Sequence, residues 1–564
     1  MLTRRQMLKA GLAGGGYALL GGGYVLLGPG RSRRVFADQL PSSPPTTPFL
    51  EELPIAPIAQ PVARFATRPD PTNCVNVDGT TAIHVSGPRV VPTNAQFFLI
   101  HERQALHSFH PRLPPSSVWG YNGMVPGPTF LGRSGTPFLV RFVNDLPTND
   151  PVGIGEPISA VHRHGGFQAP EDDGYPLDTF CTGQSRDYFY PQTPAPNVFG
   201  LPNPEQNEES TMWYHDHAID ITGPNVYRGL AGFFLNFDEV DSFLGEEDPN
   251  PRALRLPGRM RGQVREFDIP IVIQDKLFDQ DGRLVFDTFD HNGFLGDKFV
   301  LNGKIQPFLR VKRRKYRFRF LNGSNARFYQ LFLRNGGPFD FVIAADDHLF
   351  PRPLLNQKSI ILGPAERAEV VIDFSRFPSN TEVILENRLE QDDGRKPDSL
   401  VSTGTPLLKF IVNGDVADPS RVPDTLRPIL IGPAQILPFV TVKRTFDFER
   451  SDGAWQINGE FFDENRINAK PKVNTAEIWT LKSGGGWTHP VHLHLSSFFV
   501  LSRDGSTPLP LERARKDTID VGAFFTQEVK ILAMFPRYTG SYVFHCHNIE
   551  HEDMRMMAQF ENQP

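Results

Sequence analysis

Four His-x-His pairs constrain this 564-residue chain more than any other feature. They are His162-Arg163-His164, His215-Asp216-His217, His492-Leu493-His494 and His545-Cys546-His547. Random placement of the chain's 16 histidines would give about 0.4 such pairs. On a β-strand, residues i and i+2 face the same side, so each pair can present two imidazoles to one cavity. A single pair is often incidental. Four of them ask for a fold in which strands from both halves of the chain deliver eight imidazoles to one large metal centre.

Strand parity divides the remaining candidates. Ser541-Tyr542-Val543-Phe544-His545-Cys546-His547 reads as a strand, with His545 and His547 on one face and Cys546 on the other. His489 likewise has the opposite parity to His492 and His494. Left over from the eight-histidine set are His489, Cys546 and His551, with Met556 five residues beyond His551. Two imidazoles, a thiolate and a weak thioether describe a blue-copper electron-transfer site. Met554 and Met557 are alternative axial donors or core methionines. Zinc competes for His/Cys sets, but its closed sites need four ligands and give no reason for eight more imidazoles.

Composition sets the surrounding architecture. The chain carries 49 Gly, 52 Pro and 46 Phe, with 39% hydrophobic and 22% charged residues, which disfavours a helical bundle and suits short strands joined by turns. Trp119-Gly120-Tyr121-Asn122-Gly123, Val300-Leu301-Asn302-Gly303 and Trp455-Gln456-Ile457-Asn458-Gly459 each precede an alternating strand. The three Asn-Gly turns lie 180 and 156 residues apart, so three homologous all-β domains, each a β-sandwich, are expected. The expected boundaries are 38–247 with a Pro-rich extended lead-in, a linker at 248–263, 264–414, a linker at 415–438, and 439–564. The basic stretch Arg310–Arg319 alternates with Val311, Tyr316 and Phe318 and reads as an amphipathic strand with a solvated charged face.

The first 37 residues are read as a leader. Thr3-Arg4-Arg5-Gln6-Met7-Leu8-Lys9 resembles a twin-arginine export motif, followed by an uncharged run from Ala10 to Gly30 and a cleavage-like Val35-Phe36-Ala37. The competing reading is a retained membrane anchor, for which this Gly-rich run is marginal in length. Removing residues 1–37, which carry six basic and no acidic residues, takes the formal charge from −6 to −12. No basic tract supports nucleic-acid binding. The cysteines allow one disulfide at most, and Cys74 and Cys181 are either paired after export or free thiols. The histidines at 84, 101, 107, 110, 291 and 348 show no paired pattern and read as surface or satisfied core residues. Trp487, two residues before His489, borders a donor pocket or belongs to the core.

Taken together, the phrases Tyr121-Asn122-Gly123-Met124-Val125-Pro126-Gly127-Pro128-Thr129, Trp213-Tyr214-His215-Asp216-His217-Ala218, Gly486-Trp487-Thr488-His489-Pro490-Val491-His492-Leu493-His494 and His545-Cys546-His547-Asn548-Ile549-Glu550-His551-Glu552-Asp553 resemble a multicopper oxidase. The resemblance covers essentially the whole mature chain and is strongest to the bilirubin oxidase and bacterial spore-coat laccase branch. It implies three cupredoxin-like Greek-key β-sandwiches with a trinuclear cluster between the first and third, and four copper ions per chain. His162 and His492 would bind the type 2 copper. His164, His215, His217, His494, His545 and His547 would bind the type 3 pair, and His489, Cys546, His551 and Met556 the type 1 copper. Asp173 and Glu552 become candidate proton relays, and Cys546 the electron gateway. The implied activity is oxidation of phenolic, aromatic-amine or bilirubin-like donors coupled to reduction of O2 to water, by an exported, periplasmic or extracellular monomer with no stable membrane insertion. Two alternatives are a Cu(I) or Mn(II) metallo-oxidase, disfavoured by only nine methionines and no Met-rich insert, and a non-catalytic copper-binding or cell-envelope structural protein. Three repeats and four His-x-His pairs disfavour a two-domain nitrite reductase.

Overall fold

In the computed structural model, both residues of each of these three Asn-Gly turns hold positive φ. The values are 56° and 71° at Asn122-Gly123, 44° and 81° at Asn302-Gly303, and 54° and 74° at Asn458-Gly459. Asn tolerates the left-handed region and Gly has no Cβ to oppose it, so the pair builds the tight turn whose twist matches that of the flanking strands. The structure describes residues 40, 42–65, 73–84, 90–150, 152–193, 199, 201, 210–288, 292–429, 431–451 and 453–564. It also describes the backbone of Gly23–Val25 and Arg34–Phe36, which pair antiparallel. The rest of the leader read over 1–37 lies outside the described residues, as does His291.

Each Asn-Gly turn occupies the same place in its unit. The strands Gln96–His107, Asp268–Phe278 and Lys443–Ser451 pair antiparallel with the strand leading into the turn. On their other edge they pair parallel with the downstream strands Phe138–Asn144, Lys315–Asn322 and Thr475–Ser483. The sequence repeat is thus a repeat of topology. Each of these mixed sheets faces a second sheet across an aromatic and aliphatic core. In the first unit Phe98, Trp119, Phe138 and Phe142 from one sheet meet Phe130, Tyr214 and Phe234 from the other. In the third, Trp455, Trp479 and Phe446 meet Val491, Phe544 and Phe560. The lead-in is a strap: Glu52 bridges to Phe308 of the middle unit, and Ile58 and Val62 bridge to Thr129 and Phe97 of the first.

The expectation of a solvated basic face on Arg310–Arg319 is corrected by the structure. Arg310 and Lys312 are exposed, but Arg314, Arg317 and Arg319 are fully buried. Tyr316, Phe318 and Phe320 fill the middle core, while the opposite side of the strand packs on the first sandwich instead of on water. There Arg317 donates to Asp241 at 2.7 and 2.9 Å and to Glu369 at 2.7 Å. Arg319 donates to Asp268 at 2.7 and 2.9 Å and to Thr211 at 2.7 Å. Burial works against ionisation of Asp268, yet Arg319, Arg265 and Arg317 hold its carboxyl well below the usual carboxylate range. Buried charges persist only when paired in this way. Arg317→Ala leaves Asp241 buried without its guanidinium and Glu369 with that of Arg319 alone, and should lower stability by about 3–5 kcal/mol. Calorimetry on the purified variant tests this; an unchanged melting temperature would contradict it.

Candidate metal centres

Two antiparallel strand pairs carry the histidines. Strands β1 (Val161–His164) and β2 (Thr211–Asp216) are neighbours in the first sandwich, with His162 opposite His215. Strands β3 (Thr488–Leu493) and β4 (Gly540–Cys546) are neighbours in the third, with His492 opposite His545 and Val491 opposite Cys546. Short helices follow β2 and β4: α1 (Thr222–Arg228) and α2 (Ile549–Asp553). Pairing within each sheet sets imidazoles side by side, and docking of the two sandwiches sets the two groups face to face. The rings of His164 and His492 stack at 3.6 Å between centroids, and those of His162 and His494 at 3.9 Å. All eight paired histidines are buried.

Acceptors behind the rings decide where their lone pairs point. A carbonyl oxygen only accepts, so the ring nitrogen facing it carries the hydrogen and the other nitrogen is left with a lone pair. His162 Nδ1 donates to the Asp173 carbonyl at 2.5 Å, and His492 Nδ1 to the Asp517 carbonyl at 2.9 Å. His215 Nδ1 and His545 Nδ1 donate to the carbonyls of Asp216 and Cys546 at 2.8 and 3.0 Å. His494 Nδ1 donates to Asp173 Oδ2 at 2.7 Å. The Nε2 atoms of His162 and His492 consequently face each other at 3.4 Å, and those of His494 and His545 at 3.2 Å. Among the described residues, His164 Nδ1, His215 Nε2, His217 Nδ1 and both nitrogens of His547 are buried without a hydrogen-bond partner. Burial, the leading cause, holds His162, His164, His215, His494 and His547 well below the ordinary histidine value, and brings His492 to about 3 and His217 to about 4. Protonation therefore does not supply the missing positive charge. Facing lone pairs repel unless a cation lies between them, and a set of imidazole nitrogens within 4.8 Å of one another suits copper.

The second group lies on the other face of β4. His489 Nδ1, Cys546 Sγ and His551 Nδ1 form a triangle with sides of 3.4, 3.5 and 3.2 Å. His551 Nε2 donates to the Asn292 carbonyl at 3.1 Å, turning its Nδ1 lone pair inward. The Asn548 N–H donates to Cys546 Sγ at 3.4 Å, a contact that favours a thiolate. Burial otherwise pushes the Cys546 thiol up, so ionisation there calls for a bound cation. Two imidazoles and one buried sulfur are the soft trigonal set that fits copper. Met556 and Met554 share the core around Cys546, whereas Met557 packs on Tyr175, Ile219 and Val543.

Sequence reasoning missed several neighbours. The Trp455 ring stacks on His551 at 3.7 Å, and Trp487 meets Trp455 edge-on at 4.4 Å. Arg395 and Arg450 lie over Trp487 at 5.3 and 5.4 Å. Asp517 accepts from His164 Nε2 at 3.2 Å and from Arg367 of the middle sandwich at 2.6 and 2.9 Å. Trp455 sits in the third Asn-Gly phrase, a signal that was visible but read only as a turn. The two carboxylates singled out from sequence are pushed in opposite directions by their surroundings. Burial pushes Asp173 up to about 8. Burial also opposes ionisation of Glu552, yet His545 and His217, with nitrogens at 3.2 and 3.5 Å from its oxygens, hold it well below the usual range. The unpaired histidines have ordinary partners: His84 with Asp178, His101 with Asp145, His348 with Asp347, and His107 and His110 with backbone carbonyls. Cys74 and Cys181, left open by the sequence, form a disulfide.

Known proteins share these features. Family models described as multicopper oxidase match residues 107–239 and 438–564. The chain is similar to a bilirubin oxidase from Albifimbria verrucaria, 34% identical over 84% of this chain and 79% of that protein. It is also similar to a laccase from Bacillus subtilis, 32% identical over 82% and 94% of the two chains. A multi-copper oxidase structure from Pediococcus acidilactici superposes with a TM-score of 0.71 at 26% identity, covering 94% of this chain and 95% of that one. With three cupredoxin-like sandwiches and a donor set that suits copper, the chain belongs to the multicopper oxidase family, oxidoreductases that pass electrons from a reducing substrate to O2.

Proposed function

We propose that this chain is a four-copper, laccase-like or bilirubin-oxidase-like enzyme. It couples one-electron oxidation of phenolic, aromatic-amine or bilirubin-like donors to four-electron reduction of O2 to water. One observation carries the reading: β4 turns His545, and His547 one residue past its end, to the eight-histidine group and Cys546 to the other, so adjacent residues serve two separate centres. His489, Cys546, His551 and Met556 would hold the type 1 copper, His162 and His492 the type 2 copper, and His164, His215, His217, His494, His545 and His547 the type 3 pair. When bound, copper supplies one-electron storage at each ion and the reducing centre for O2.

The protein's residues supply the rest. Cys546 links the two centres through its peptide bonds to His545 and His547. Trp455 and Trp487 are both buried, the first stacked on His551 and the second edge-on to the first, and they wall that ligand of the sulfur-containing centre off from water. Asp173 and Glu552 both border the histidine group, Asp173 against His494 and Glu552 between His217 and His545, which places each to pass a proton. Gln168 Nε2 donates to Asp173 Oδ1 at 2.8 Å and orients the carboxyl. Each ligand set is complete within one chain, which supports a working monomer. The twin-arginine-like Thr3–Lys9 phrase and the Cys74–Cys181 disulfide together support export to an oxidising compartment without stable membrane insertion.

Cys546→Ser should abolish the intense blue colour and donor oxidation; retention of both sinks the type 1 assignment. Metal analysis of the copper-replete enzyme should approach four coppers per chain, and a zinc-dominated result would overturn the reading. Asp173→Asn removes a proton carrier and should cut turnover with a phenolic donor by about 10²-fold or more, while leaving the blue colour. Equal oxygen uptake by variant and parent would remove Asp173 from the relay. Replacing Arg4 and Arg5 together by Lys should leave the enzyme in the cytoplasmic fraction of a twin-arginine-competent host, and unimpaired export would refute that route.

A further inference from the structure

The turn that delivers Met556 is built on a residue poorly suited to it. Arg555 follows α2 with φ of 70°, a left-handed backbone that favours glycine. Its N–H donates to the Glu552 carbonyl at 2.7 Å, and the Met556 N–H to the His551 carbonyl at 3.0 Å. The chain then doubles back, so that the Cys546 N–H donates to the Met556 carbonyl at 3.1 Å. The conformation of Arg555 thus sets where Met556 lies relative to Cys546 and His551.

Its side chain is held from outside the third sandwich. Arg555 Nε and Nη2 bind Asp220 Oδ1 and Oδ2, both at 3.0 Å, and Nη2 binds Asp78 Oδ2 at 2.6 Å. Asp220 lies three residues beyond His217 in the first sandwich and is also left-handed, with φ of 64°. Two disfavoured turns, each next to a ligand-bearing segment, therefore face each other across the domain contact through a bidentate pair. Asp78 is buried in the segment 73–84, which is fastened by the Cys74–Cys181 disulfide and by Asn76 donating to the Leu177 carbonyl at 3.1 Å.

We propose that Arg555 is a positioning residue for the axial methionine. Its hold on Asp220 and Asp78 fixes the turn that places Met556 against Cys546, and makes the potential of the type 1 site depend on the disulfide-fastened segment 73–84. This rests on the reading of His489, Cys546, His551 and Met556 as one copper site. A guanidinium serving only the domain contact would need no left-handed backbone, and a loose turn would leave the axial donor free to shift. Replacing Arg555 by glycine keeps the turn geometry accessible while removing the clamp.

The test uses the copper-loaded full chain, reading copper content, the blue absorption band and the midpoint potential by redox titration. Arg555→Gly and Asp220→Asn should retain full copper content, yet shift the potential in the same sense as Met556→Leu. Arg555→Lys, which keeps the charge but not the fork, should shift it less. The double replacement Cys74→Ser with Cys181→Ser should move it in the same direction. If Met556→Leu shifts the potential while Arg555→Gly and Asp220→Asn leave it in place, the positioning role is overturned and the site reading survives. If Met556→Leu itself changes nothing, the axial assignment fails and the proposal falls with it.

Discussion

Nitrogen lone pairs aimed at one another across the contact between the first and third sandwiches are the constraint around which the molecule is organised. His162 and His492 approach at 3.4 Å across that contact, and His494 and His545 at 3.2 Å within the third sandwich, with their hydrogens committed to acceptors behind them. Burial holds His162, His492 and His494 well below the ordinary histidine value, so protonation does not relieve the approach. A cation shared between the two faces converts repulsion into attraction, so metal binding and domain docking become one thermodynamic event. The carbonyls of Asp173, Asp216, Asp517 and Cys546 are as necessary as the rings, because they choose which nitrogen is free.

The middle sandwich supplies support from behind. Arg317 and Arg319 tie it to the first sandwich through Asp241 and Thr211, and Arg367 ties it to Asp517 beside His164. Buried guanidiniums contribute little net stability when paired, but removing one partner strands a charge. The same unit closes the sulfur-containing centre: the Asn292 carbonyl orients His551, and the Gly394 carbonyl accepts from Asn548 at 3.3 Å. Bidentate pairs thus recur wherever one sandwich meets another, and the Arg555–Asp220 pair belongs to the same pattern.

Local periodicity was the readable part of the chain. The Asn-Gly turns were legible because only a few residue types accept positive φ at both central positions. The opposite facing of Cys546 and its neighbours was legible because side chains alternate along any strand. The basic stretch was misread for a related reason: alternation shows that Arg317 and Arg319 share a face, but not whether water or another domain covers it. Asp517 and Arg367 carried no local signal of their place at the histidine group, since each reaches its partner only through a contact distant in sequence.

By itself, then, the sequence determined the strand faces, the three turn-centred repeats and the donor types available to a metal, all properties of residues within a few positions of one another. The tertiary structure alone decided which nitrogens point inward, that Cys74 meets Cys181, that Asp173 and Glu552 both touch the histidine group, and that Met556 hangs from a turn clamped by Asp220. Those outcomes depend on burial and on acceptors brought from other sandwiches, and burial is a property of the packed whole rather than of any stretch of chain.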